Sequence, residues 1–112
     1  MRDGIYSFRY EVEGRLSRGS LTLRSDLANG GDTRVLLAGE LSHAANHIVA
    51  SLEIRAMGRI EPARLRDGIL DFEIRLTGPG SDTHFDVIGV GPRGIIVCLA
   101  GEWTSPLASP AR

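Results

Sequence analysis

The chain has one cysteine, Cys98, in 112 residues. An internal disulfide is impossible, and a zinc site built from several thiolates is excluded. The thiol sits in the apolar run Ile95-Ile96-Val97-Cys98-Leu99. With no cationic neighbour to lower its pKa, it reads as an inert, packed thiol. A surplus of either charge is also missing: 13 basic and 14 acidic residues are interspersed, for a net charge of −1. Without a basic run there is no footprint for nucleic acid, and no acidic block marks a disordered tail. Nothing approaches the ~18 apolar residues of a membrane span, and the opening MRDGIYSFRYEVEG has no apolar signal core. These absences predict a soluble, cytoplasmic protein with neither a nucleic-acid nor a membrane partner. The length suits one domain, expected over residues 1–104, with a Pro-, Ser- and Ala-rich flexible tail at 105–112.

Helical periodicity is absent as well, and period two takes its place. Tyr6, Phe8, Tyr10 and Val12 alternate with Ser7, Arg9, Glu11 and Glu13. Leu21 and Leu23 alternate with Ser20, Thr22 and Arg24. Successive side chains of a strand point to opposite faces, so this alternation means one wet face and one buried face. The pattern continues through residues 33–41, 47–55, 70–76, 83–90 and 95–103. It breaks at 56–68, where Gly58 and Pro62 mark a long connection with an expected helical turn at 62–65. Asn29-Gly30-Gly31-Asp32 and the run 77–82 read as turns. Seven strands follow, with an eighth available from 56–68. Short connections require antiparallel neighbours, so the chain is all-β, an up-and-down meander closing into a barrel or folding into a sandwich.

The segment Gly89-Val90-Gly91-Pro92-Arg93-Gly94 has the spacing of a dinucleotide fingerprint. That fingerprint needs a helix after it, because the helix N-terminus holds the pyrophosphate. Here a β-branched apolar run follows, so the segment reads as a hairpin turn and no cofactor is expected. His43 and His47 are spaced H-x-x-x-H, but no third ligand stands at a telling distance, so no metal is expected. Ser81, Asp82 and His84 cluster without a nucleophile elbow or an oxyanion-hole signature. Nothing here assigns a catalytic residue.

Two groups remain. The inward face should carry Tyr6, Phe8, Tyr10, Leu21, Leu37, Phe72 and Phe85, with Gly19, Gly39 and Ala50 among them. Those small residues would leave room for a small apolar ligand. The last strand is apolar on both faces, with Ile96 and Cys98 facing away from Val97 and Leu99, and Leu36 does the same in the third. Such strands are covered on both sides. Leu36, Ile96, Cys98 and Trp103 are therefore interface candidates, most simply in a homodimer.

Arg2-Asp3-Gly4-Ile5-Tyr6, the alternation through Val12, Asn29-Gly30-Gly31-Asp32 and the layout out to Trp103 resemble the GrlR-like family of small bacterial regulators. The resemblance implies a lipocalin-like antiparallel β-barrel of seven to eight strands, often dimeric, with an apolar cavity. It also implies a non-enzymatic role: binding and sequestering another protein, such as a transcriptional regulator. In that family four consecutive acidic residues between strands three and four matter for the contact. The corresponding loop here, 40–47, holds one carboxylate, and Glu40, His43 and His47 are its partner-contact candidates. A carrier or sensor of a small apolar ligand is the alternative role.

Overall fold

The computed structural model describes residues 1–12, 14–32, 35–56 and 71–107. Eight strands follow in chain order: β1 Gly4–Val12, β2 Arg15–Arg24, β3 Leu27–Gly31, β4 Val35–Ala44, β5 His47–Ala56, β6 Asp71–Pro79, β7 His84–Val90 and β8 Ile96–Ser105. Each pairs antiparallel with the next, and β8 returns to β1, so the sheet is a closed up-and-down barrel. Closure leaves the sheet without the long sticky edges of an open one.

The alternation read from the sequence is the burial pattern. Tyr6, Phe8, Tyr10 and Val12 of β1 are buried, while Ser7, Arg9 and Glu11 are exposed. The same rule runs through Leu21 and Leu23, Leu37 and Leu41, Ile48 to Ile54, Phe72 to Leu76, Phe85 and Val87, and Val97 and Leu99. These side chains form one continuous apolar core, and among the described residues no polar or charged one is buried with them. At roughly 1.5–3 kcal/mol per fully buried large apolar side chain, this core is the main favourable term in folding.

The eighth strand is not where the sequence suggested. Asn29-Gly30-Gly31 is the body of β3, and the turn into it is Ser25-Asp26. Both turn residues are left-handed, with φ of 51° and 68°, as a two-residue hairpin loop of the favoured hand requires. Gly30 is there for close approach: a Cβ on it would collide with the Ser20 carbonyl and Leu21 Cα of β2. A glycine inside a strand is a mark of such an approach, and its turn-like composition hid the strand. The 77–82 turn is also shorter than read. β6 runs on to Pro79, Gly80 bridges to Phe85, and the chain reverses at 81–83. The Gly89–Gly94 segment is a hairpin connection: β7 ends at Val90, Pro92–Gly94 make a 3-10 turn, and β8 follows. Arg93 and Gly94 both take positive φ there. Ser105 belongs to β8, which carries the barrel one residue further than expected. The helical turn expected at 62–65, and the cover expected from 56–68, fall outside the described residues.

Candidate functional site

The seven inward candidates, Tyr6, Phe8, Tyr10, Leu21, Leu37, Phe72 and Phe85, are all buried in the common core. At Gly19, one of the small residues among them, an aromatic ring takes up the space. Across β2, β1, β8 and β7 the register sets Gly19, Phe8, Gly101 and Phe85 side by side. A Cβ on Gly101 would run into the ring of Phe85, and one on Gly19 would meet the Phe8 ring at 3.0 Å. Each ring lies over the neighbouring glycine and fills its place, a device that lets a glycine bend the sheet without leaving a void. Tyr6 then packs on Phe85, with ring centroids 6.0 Å apart and planes tilted by 40°.

The two tyrosines of β1 point toward opposite ends of the barrel. Tyr6 donates its hydroxyl toward the carbonyl oxygens of Arg2, at 2.6 Å, and Asp82, at 3.1 Å. The Arg2 amide in turn donates to the Asp82 carbonyl. The Arg2 guanidinium lies 4.0 Å from the centre of the Trp103 ring, whose indole N–H donates to the Asp3 carbonyl. Residues 1–3 therefore strap this end of the barrel. Burial, and secondarily the Asp82 carboxylate, pushes the Tyr6 phenol up to about 12. Tyr10 is 5 % exposed, and among the described residues its hydroxyl has no hydrogen-bond partner. Burial, and secondarily Asp32, pushes its phenol up to about 12 as well. An unpaired buried hydroxyl is uncommon and calls for an explanation.

The interface candidates do not come together as one set. Ile96 and Cys98 share the outer face of β8, with Ile96 exposed and Cys98 half-buried. Leu36 is exposed on β4, paired with Gly31 and Arg55. Trp103 has the inward parity of β8, packs against the core and is held by the N-terminal strap. The sequence reading missed the neighbours of Ile96 and Cys98. The register lines up Ile88, Cys98, Glu11 and Leu16 in one row across the outside of β7, β8, β1 and β2, with Val90 beside Ile96 in the next. Leu16, Ile88, Val90 and Ile96 are each more than half exposed. Their apolar parity could have been read on β7, where Ile88 and Val90 alternate with Phe85 and Val87.

The loop candidates change context too. Glu40 and His43 lie on β4 and His47 on β5, so 40–47 is no loop. The connection is the two-residue turn Ala45-Asn46, because the ladder pairs Ala44 with His47. His43 is cross-strand from buried Ile48 on the inward side, whereas His47 lies on the outward side of β5 with Val49 and Ser51. The two imidazoles face opposite ways and cannot share a metal. Among the described residues no group of three or more His, Cys, Asp or Glu could hold one. Ser81 Oγ lies 2.9 Å from His84 Nδ1, but it also accepts from the Thr83 amide, a local turn bond. The Asp82 contacts are through its backbone carbonyl. Among the described residues no helix is long and apolar enough to cross a membrane.

No protein-family model matches the chain, and no curated protein matches it.

Proposed function

We propose that this is a non-enzymatic regulatory or interaction protein of the cytoplasm that acts by binding protein, as the resemblance to GrlR-like regulators implies. The observation that carries the reading is the exposed apolar cluster of Ile88, Val90 and Ile96 beside Cys98 on the outside of β7 and β8, with Leu16 beyond Glu11 on β2. A barrel whose inside is already a packed core has no folding reason to keep four large apolar side chains in water on one face. Contiguous exposed apolar surface marks an interaction site. A second copy of the chain is the simplest cover, since a two-fold axis lets one patch serve both partners. The test is sedimentation of the wild type against Ile88→Asp with Ile96→Asp. The wild type should run as a dimer and the variant as a folded monomer. Equal masses for the two would remove the basis of the reading.

A second reading has one observation behind it. The unpaired Tyr10 hydroxyl is a polar handle inside an apolar barrel, which suits a carrier or sensor of a small apolar ligand bearing one hydrogen-bonding group. The aromatic rings lying over Gly19 and Gly101 weigh against it, because they occupy the space such a ligand would need.

A further inference from the structure

At the β2–β3 junction one strand runs past its neighbour. β2 pairs with β1 from Arg15 to Leu23. β3 meets it only from Ser20 to Arg24. Among the described residues, the β3 side of residues 15–18 therefore has no strand on it. A groove of about 670 Å³ follows this edge, lined by Leu16, Ser17, Arg18, Gly19, Ser20, Gly31 and Asp32. Unpaired backbone along a groove is a template for one more strand.

The side chains select the sign of that strand. All thirteen cations of the chain are arginine. Arg9 and Arg18 stand directly opposite each other on the outside of β1 and β2. Like charges in that position repel. The barrel has a second like pair, Glu53 opposite Glu73, but there Arg55 bonds Glu53 at 3.1 Å. No ion pair relieves Arg9 or Arg18 among the described residues. Asp86 and Glu102 line the groove that reaches Arg9, and Asp32 and Glu11 lie on the other sides, yet among the described residues none forms a salt bridge with Arg9 or Arg18. Asp32 is engaged by the Val35 amide at 2.8 Å, and Glu11 sits opposite Leu16 without a salt bridge. Arg18 and Gly19 also line a second groove, of about 450 Å³, which reaches Arg9. An anion beside Arg18 would thus meet both guanidiniums, whose forks suit carboxylates.

We propose that the free edge of β2 takes up an extended acidic segment of a partner protein as an added antiparallel strand. Its carboxylates lie on the outer side beside Arg18 and Arg9, and its apolar residues on the inner side beside Ser17 and Gly19. This rests on the protein-binding reading and names the partner's chemistry. A second copy of the same edge is a poor occupant, because it would bring Arg15 and Arg18 against their own kind.

The test uses the whole protein and two capped peptides, one alternating glutamate and valine, the other lysine and valine. Amide NMR spectra and hydrogen exchange report where each binds. The glutamate peptide should shift and protect the amides of residues 15–18. Its affinity should fall about tenfold in Arg18→Glu and with added salt. Arg18→Ser should also weaken it, while the melting temperature holds or rises as the repulsion with Arg9 is lost. Equal binding of the lysine peptide, or no binding up to about 1 mM, would overturn the proposal. So would protection of residues 15–18 that depends on protein concentration without peptide. Shifts confined to Ile88, Val90 and Ile96 would overturn the edge while leaving the protein-binding reading intact.

Discussion

Tyr6 and Tyr10 share one strand and one face, and the barrel treats them differently. Burial lifts both phenols to about 12. At the Tyr6 end, two backbone carbonyls, the N-terminal strap and the Arg2–Trp103 stack converge on the ring's neighbourhood. At the Tyr10 end the residue stands between Ser17 and Leu99 in the register, and among the described residues its buried hydroxyl meets no acceptor. Desolvation, with a smaller push from Asp32, therefore shifts a pKa without any hydrogen bond, whereas stabilisation needs a partner. The same residue type marks a finished end of the barrel in one case and an unfinished one in the other.

The largest effect should come from alkali, which acts on both tyrosines together. A phenol whose folded pKa lies above its unfolded value of 10 stabilises the fold while protonated. That contribution is complete below pH 10 and is lost as pH rises through about 12. Circular dichroism should report unfolding within that window, and Tyr6→Phe or Tyr10→Phe should each make the loss shallower. Tyr6→Phe comes next. It strips a donor from the Arg2 and Asp82 carbonyls and should cost about 2 kcal/mol in a urea titration. Tyr10→Phe should have the opposite sign. Removing an unsatisfied buried hydroxyl should gain about 1 kcal/mol; a loss would mean that the hydroxyl has a bound partner in solution. The smallest effect is Arg2→Ala, which removes the cation over Trp103 and should cost about 0.5–1 kcal/mol. Its effect should vanish where Trp103 is also replaced, in a double-mutant cycle.

Much of the barrel was legible because its signal is local. Parity along β1, β5 and β6 is a property of neighbouring residues, and it survives into the buried face unchanged. What escaped depends on contacts between strands. β3 was hidden because a strand rich in Asn and Gly is spelled like a turn, and only the closeness of β2 explains Gly30. Gly19 suggested space, whereas the register delivers the Phe8 ring to it from the strand beside it, as it delivers Phe85 to Gly101. His43 and His47 suggested a shared loop, and a two-residue turn instead sends them to opposite faces. Trp103 suggested an interface because its partner, Arg2, lies a hundred residues away in sequence. The outer row of Leu16, Ile88, Val90 and Ile96 was half visible: Ile96 and Cys98 were found on β8, but the strands that extend the row needed the closed topology.

Protein binding through the outer face calls for self-association and for an interior that carries no ligand. A native mass spectrum of the protein purified without detergent weighs both at once. The account predicts twice the chain mass with no small molecule attached. A single chain carrying an adduct the size of a lipid or cofactor would contradict it, and would shift the function from the outer face to the barrel interior around Tyr10.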